Sequence, residues 1–398
     1  MIESHIYEWV NLLVRWIHFI VGVAWIGASF YFNWLENNLN RNSPQEPGIT
    51  GNLWAVHGGG FYHLKKFKTG PEQLPTHLHW FKWEAYTTWL SGMTLLVIVY
   101  YFNARLYLID PSVRDLTSGG AVIVSLVSIL GSWFVYDVLC RTALKNHKRL
   151  LATTLILYFT LLAWFLCDVF SGRAAYIHVG ASIGTMMVGN VFFVIIPAQR
   201  KMVSALEQGR KLDAAMGEKG LLRSTHNNYL TLPVLFIMIS NHFPSTYGHE
   251  WNWLVLIMVS LASIVARHYF NIRVVMKSLW WLLPISFAMM VGVMWFTAPN
   301  PVKTSDVFNN QDAIVSVMSV VSQRCTVCHS ETPTQSGFSS PPMGLVLDSI
   351  EQLEINAVKV YGAAVLTKTM PVGNLSGMTD EERNLLAGWY ENFAKGEN

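Results

Sequence analysis

The sequence predicts an all-α protein, an eight-helix transmembrane bundle followed by a small soluble helical domain. Of its 398 residues, 52% are hydrophobic and only 13% are charged, whereas soluble domains carry about a quarter charged residues. The composition changes abruptly after Pro299, where a polar stretch follows the last apolar segment. We therefore predict a membrane domain over 1–299, a linker over 300–310 and a soluble domain over 311–398.

Eight segments are apolar enough to cross a lipid bilayer, which takes roughly 20 residues of helix. They are 10–34, 84–108, 119–140, 150–170, 174–197, 229–243, 250–270 and 278–298. The sixth is the weakest because it is short and contains Pro233, so a re-entrant segment is the alternative there. The acidic start MIESHIYEWV does not resemble a cleaved signal peptide, and the first helix is expected to remain in the mature protein.

The basic residues predict the orientation of the bundle. Eighteen Lys and Arg lie in the loops after odd-numbered segments and three in the loops after even-numbered ones. Cytoplasmic loops carry the excess of positive charge, so the N-terminus and the C-terminal domain are predicted to lie outside the cytoplasm. Because the basic residues are accounted for in this way, the small net charge of +3 gives no reason to expect a nucleic-acid partner.

The soluble domain contains the sequence C-x-x-C-H, formed by Cys325, Cys328 and His329. In this pattern the two thiols attach a c-type haem covalently and the histidine ligates its iron. A chance pair, a redox dithiol or half a zinc site are the alternatives, but an adjacent histidine has no role in a redox dithiol. We predict a covalent haem c. Such a haem is attached on the outer side of the bacterial inner membrane, in agreement with the predicted orientation.

The second axial ligand of this iron is predicted to be Met370. It follows the haem motif by about forty residues, and a thioether ligand raises the reduction potential towards that of an electron acceptor. Met343 and Met378 are the alternatives. Pro371 favours Met370, because a proline restricts the residue before it to an extended conformation.

Two histidines lie within predicted membrane segments, where ionisable side chains are functional candidates by default. His18 in the first segment and His178 in the fifth are both within about two turns of the outer surface. They could ligate a haem b from its two faces, with Arg15 near a propionate and Gly22 making room for the ring. The alternative is that each histidine only makes a hydrogen bond between helices, since nothing in the sequence pairs these two segments.

The long first cytoplasmic loop offers a second group of candidates. His57 and His63 flank three glycines, and Lys82 follows between aromatic residues. Glycine backbone can approach a flat anion closely, and a histidine there could act as general base. The alternative is an interfacial loop with snorkelling lysines and aromatic residues. On the outer side, His242 is a further candidate base or ligand.

The sequence as a whole resembles the bacterial membrane-bound urate oxidase family, in which a membrane domain is fused to a C-terminal cytochrome c. The resemblance rests on the following segments: RWIHFIVGVAWIGASFYFNWLE, WAVHGGGFYHL, HWFKWEAYTTWLSG and ISNHFPSTYG. It implies that urate is oxidised to 5-hydroxyisourate without formation of hydrogen peroxide. The electrons would leave through the haem to a respiratory acceptor, either a soluble cytochrome c or a terminal oxidase.

Two other functions compete with this interpretation. In the first, the bundle is an electron-transfer anchor or transporter that handles quinone or protons, and the haem only passes electrons on. The scarcity of acidic residues within the apolar segments argues against a proton pathway. In the second, the protein is a dehydrogenase for another purine. The residues alone also leave open which side of the membrane binds the substrate.

Overall fold

The computed structural model describes most of the chain. The described residues are 2–42, 46–68, 70–71, 73–210, 214–274, 276–298, 311–335, 338 and 340–396. The predicted linker 300–310 lies outside them. The described residues are mostly helical, as predicted, and the helices fall into one set before the linker and a second set after it.

The first set contains ten helices within the described residues. They are α1 (Ile2–Asn38), α2 (Trp83–Leu95), α3 (Ser118–Arg141), α4 (Lys148–Val169), α5 (Gly172–Gly189), α6 (Ile196–Glu207), α7 (Ala214–Ser240), α8 (Pro244–Tyr247), α9 (Asn252–Ile272) and α10 (Leu282–Phe296). The second set is α11 (Gln311–Arg324), α12 (Ile350–Ile355), α13 (Ala357–Val360) and α14 (Asp380–Gly396).

Five helical stretches in the described residues are long and apolar enough to cross a membrane. They are His5–Asn38, Ser118–Arg141, Lys148–Val169, Gly172–Glu207 and Asn252–Ile272. The other three predicted segments have different shapes. The segment 84–108 is α2 continued by two π-helical stretches, 229–243 covers the second half of α7, and 278–298 corresponds to the short helix α10.

The outward surface of these helices is strongly apolar. Phe134 on α3 is 70% exposed and Trp295 on α10 is 77% exposed. Soluble monomeric proteins rarely expose large continuous apolar surfaces. Large aliphatic and aromatic side chains of α1 and α4 are exposed in the same way. This surface suits a hydrocarbon environment, in which backbone polar groups are satisfied within each helix.

Helix α5 forms the centre of the bundle and packs against α2, α3, α4 and α7. Its side chains Ala174, Ala175 and Tyr176 are fully buried. A Cβ on Gly180 would meet the side chain of Ile237 on α7 at 2.5 Å, so the glycine permits the close approach of the two helices. His178, two residues before Gly180, is fully buried.

The all-α prediction is wrong for the loop between α1 and α2, which contains an antiparallel β-hairpin. Its strands are β1 (Ile49–His57) and β2 (Gly60–Phe67). Gly58 and Gly59 have φ angles of +59° and +78°, as a two-residue hairpin turn of type I′ requires. Two of the three glycines thus serve the turn, and a Lys66–Glu36 ion pair of 2.6 Å ties the hairpin to α1.

The second set of helices packs around its own apolar core. Val317 and Val321 of α11 meet Leu353 of α12 and Leu386 of α14, and all four are buried. Tyr361 and Tyr390 stack with their ring centroids 4.1 Å apart. The residues after the linker therefore have a hydrophobic centre of their own.

Candidate functional site

The C-x-x-C-H sequence begins where α11 ends. Arg324, the last residue of α11, bonds through Nε to Glu382 of α14 at 3.0 Å, which fixes the start of the motif. Burial raises the pKa of the Cys325 thiol to about 11. The His329 ring is held by a contact of 3.1 Å between its Nδ1 and the carbonyl oxygen of Leu345. Such a bond orients the ring and leaves Nε2 for a metal ion, so these residues fit a haem c.

The loop that carries Met370 is held by its backbone. The Met370 N–H donates to the carbonyl of Ala363 at 3.0 Å, and its carbonyl accepts from Arg383 Nη1 at 2.8 Å. Met378 is buried in the apolar core, and Met343 is fully exposed. Met370, which is partly exposed, is better suited than Met378 to offer its sulfur to a group outside the core.

The same loop forms the contact between the two sets of helices. A Cβ on Gly373 would lie 2.8 Å from the carbonyl oxygen of Ile109 and 3.3 Å from that of Leu106. On its other side, the backbone of Gly248, just after α8, lies against the carbonyl oxygen of Thr367. The contacts therefore flank Met370 in the chain, three residues before it and three after it.

His18 and His178 present the same arrangement of ring nitrogens. His178 Nδ1 lies 2.7 Å from the Ala174 carbonyl, and its Nε2 is buried without a hydrogen-bond partner. His18 Nδ1 lies 3.0 Å from the Thr88 carbonyl and 3.0 Å from Ser91 Oγ. An orphaned buried nitrogen is costly, and a metal ion would satisfy it. His178 therefore fits an axial position of a haem b, and His18, whose Nδ1 is held in a similar way, is the candidate for the second.

The packing of the helices also suits a group between these histidines. Helices α1 and α5 each pack against both α2 and α7. In the described part of the chain they barely contact one another. A Cβ on Gly92 of α2 would come within 3.0 Å of the His18 ring. The glycine therefore leaves room for the His18 side chain against α2.

A group of polar side chains surrounds His178 on the side of the Met370 loop. Tyr100 Oη, Arg173 Nε and Asn241 Oδ1 are all buried without a hydrogen-bond partner. The Tyr100 ring stands edge-on to His178 at 5.9 Å. Arg15 and Arg173 both lie within electrostatic range of the Tyr100 hydroxyl, while Arg15 also bonds to Asn11 on its own helix. Cations in this region suit the carboxylates of a porphyrin.

The candidates in the first loop are not brought together. His63 stacks on Trp54 across the hairpin, with ring centroids 4.2 Å apart and planes inclined by 5°. His57 is exposed beside the turn, and Lys82 lies before α2 with its Nζ 5.6 Å from the centroid of the Trp83 ring. Among the described residues, no hydrogen bond or ring contact joins His57, His63 and Lys82. His242 is exposed after α7, near the opposite end of the bundle.

The sequence analysis missed a buried polar network at the end of the bundle where α3 ends. Arg223 pairs with Asp137 at 2.6 Å, and Asn190 Nδ2 donates to the Tyr136 hydroxyl at 2.9 Å. That hydroxyl lies 2.9 Å from His226 Nδ1. The signal for this network was the presence of amides and an arginine within apolar helices. The members of this network form hydrogen bonds and an ion pair with one another, so we interpret the network as structural.

Comparison with known proteins identifies the larger part of the chain. The family model described as Urate oxidase N-terminal matches residues 4–298. The chain belongs to this family. No curated protein and no solved structure matches it. Membership in the urate oxidase N-terminal family indicates an oxidoreductase that acts on urate, and the match covers the helices that are apolar enough to cross a membrane. The C-x-x-C-H residues lie beyond the matched range.

Proposed function

We propose that this protein is a membrane-bound urate oxidase that passes electrons from urate to its own haem c. Urate and one water molecule yield 5-hydroxyisourate, two protons and two electrons. A respiratory acceptor, either a soluble cytochrome c or a terminal oxidase, then receives the electrons. Oxygen is not the direct oxidant, and no hydrogen peroxide forms. One observation carries the proposal. The urate oxidase N-terminal domain contacts the Met370 loop, which belongs to the same set of helices as the haem-attachment motif.

The residues around the motif would hold haem c in a defined way. Cys325 and Cys328 supply the two thioether links, and His329 and Met370 supply the axial ligands. When bound, the haem accepts one electron at a time. Met370 lies in the chain between the two residues that contact the bundle, so the ligand loop would also connect the bundle with the haem.

His18 and His178 would hold a haem b inside the bundle. Their Nε2 atoms are the ones left for iron, and Arg15 and Arg173 are placed to balance propionate charges. Urate loses two electrons and haem c takes one, so a second redox group lets both leave without a long-lived radical. The proposal places this haem in the outer half of the bundle, beneath the Met370 loop.

The catalytic base stays a prediction. Its task is to take a proton from urate or from the water that attacks C5. His57, His63 and Lys82 are candidates on the cytoplasmic side, and His242 is the candidate on the outer side. No hydrogen bond or ring contact joins the first three side chains in the described part of the chain, so the geometry favours none of them over the others.

An anaerobic turnover assay tests the proposed function. Purified protein in lipid nanodiscs, supplied with urate and an external one-electron acceptor, should form 5-hydroxyisourate with two acceptor molecules reduced per urate. A variant with Cys325→Ser and Cys328→Ser should lose this turnover. Xanthine and quinol serve as comparison donors. Turnover that requires oxygen and releases hydrogen peroxide would contradict the proposal, and reduction by quinol alone would favour an electron-transfer anchor.

A further inference from the structure

A cavity lies between α1 and α9 at the cytoplasmic end of the bundle. Its volume is about 140 Å³, which suits a small planar molecule and is far too small for a porphyrin. The side chains around it include Phe30, Asn33, Trp34, Asn37, Arg267 and Phe270. We call it the Arg267 cavity. None of these residues belongs to the predicted haem sites or to the network around Arg223.

Arg267 is the charged group of this cavity and is only 5% exposed. Its Nε donates to Asn228 Oδ1 at 3.0 Å, and its guanidinium lies 4.2 Å from the centroid of the Phe30 ring. Nη2 is buried without a hydrogen-bond partner, and no carboxylate of the described residues forms an ion pair with it. A buried cation with an unused donor is costly. An anion in the cavity would remove that cost.

The other walls of the cavity indicate what kind of anion fits. Asn37 contributes an amide to the wall, and its Nδ2 donates to the backbone carbonyl of Asn271 at 3.2 Å. Asn33 adds a second amide, and Trp34 and Phe270 add aromatic surfaces. Amides match an edge on which N–H and C=O groups alternate, and aromatic rings match a flat molecule. Urate has both properties and carries a negative charge.

We propose that the Arg267 cavity binds the urate anion, with the guanidinium, which lies against the Phe30 ring, on its anionic edge. This inference rests on the proposed function and extends it by placing the substrate on the cytoplasmic side. Helix α1 joins the two sites, because Asn33 follows His18 by 15 residues on one continuous helix. At 1.5 Å per residue the separation is roughly 22 Å. A redox group at His18 and His178 would therefore lie between the cavity and haem c.

Direct binding to reduced protein tests this site. The full-length protein is reduced with dithionite, so that it cannot oxidise its ligand, and binding of radiolabelled urate is measured. Arg267→Gln should raise the Kd about 10- to 100-fold, because it removes a charge-assisted hydrogen bond. Phe30→Leu should raise it a few-fold. Arg149→Gln, an exposed arginine predicted on the same side of the membrane, should bind as the wild type does.

The haem content and the absorption spectrum of each variant show whether it has folded. If Arg267→Gln does not fold, Phe30→Leu provides a second variant for the same test. Two results would overturn the inference: Arg267→Gln or Phe30→Leu with intact haem and unchanged Kd, or no urate binding to the wild type. If the wild type still oxidises urate in either case, only the placement of the site fails. If urate never reduces the wild type, the proposed function itself fails.

Discussion

Gly373 lies so close to Ile109 that a Cβ on the glycine would stand 2.8 Å from the carbonyl oxygen of Ile109. Real Cβ atoms do not approach oxygen so closely, and Gly373 also has a φ angle of +56°, which favours glycine. The contact links the loop after Met370 to the end of the helical region that follows α2. It therefore ties the position of the proposed haem ligand to the membrane domain.

The second contact of this loop provides a test of docking at an ordinary φ angle of −86°. Gly248→Ala places a methyl group against the Thr367 carbonyl, and also 2.8 Å from the Pro244 carbonyl of α8. We expect electron transfer from urate to haem c to slow, since the clash pushes the loop that carries Met370 away from the bundle. Stopped-flow reduction measures the rate. Gly131→Ala on α3, where nothing lies within 4 Å, is the control, and equal rates in both variants would contradict the docking account.

Met370→Ala tests the axial ligand. Loss of the thioether should lower the midpoint potential of haem c and remove the absorption band of an iron–sulfur(methionine) bond. The thioether links to Cys325 and Cys328 should persist, because they do not depend on the sixth ligand. Redox titration and optical spectroscopy measure these effects. Met343→Ala is the matched control because Met343 is fully exposed. If Met343→Ala changes the spectrum and Met370→Ala does not, the assignment is wrong.

His178→Ala tests the proposed haem b. The variant should lose a b-type α-band and one non-covalent haem per protein while it keeps the covalent haem c. His18→Ala should give the same result, because both axial positions are needed. Pyridine haemochrome analysis of purified protein counts the two haem types. A wild-type protein with haem c alone, or a His18→Ala variant with unchanged haem content, would remove haem b from the account.

The pH dependence of stability tests the packing of the Met370 loop against α14. A hydrogen bond from Lys368, with Nζ 2.7 Å from Oδ1, lowers the pKa of Asp380. Its contribution is therefore present above the unfolded pKa of about 4 and is lost as the pH falls through the folded value. Both side chains are exposed, so Asp380→Asn should cost less than about 1 kcal/mol at pH 7.

The unfolding midpoint, followed by haem absorbance, measures this effect. It is determined between about pH 3 and pH 7, a range that includes the ordinary Asp pKa of about 4. Glu381→Gln removes a neighbouring charge that forms no ion pair in the described part of the chain, and it is the control. On acidification the unfolding midpoint of the wild type should fall more than that of Asp380→Asn. Equal falls would refute the contribution of the ion pair.

The sequence predicted the helices and the haem motif because both are local features. An apolar run of about 20 residues and a C-x-x-C-H sequence need no tertiary structure to be recognised. The equal depth of His18 and His178 stays a prediction. What the sequence could not predict is the contact of His18 Nδ1 with the Thr88 carbonyl, since that depends on how α1 packs on α2. The His178 Nδ1 atom bonds within its own helix, to the carbonyl of Ala174.

The hairpin and the Arg267 cavity show where prediction from the sequence ended. The glycines near His57 suggested an anion-binding backbone, whereas Gly58 and Gly59 form a turn because strands β1 and β2 pair with one another. Arg267 counted only towards the orientation of the bundle. Its unpaired Nη2 and its contact with Phe30 arise from the packing of α9 against α1, two helices more than 200 residues apart in the chain.

The central claim is that urate is the electron donor to haem c, and anaerobic difference spectroscopy tests it most directly. Urate is added to the oxidised protein in nanodiscs in the absence of oxygen. The account predicts reduction of a c-type α-band, accompanied by a b-type band and by formation of 5-hydroxyisourate. A haem c that stays oxidised with urate, yet is reduced at once by dithionite, would contradict it.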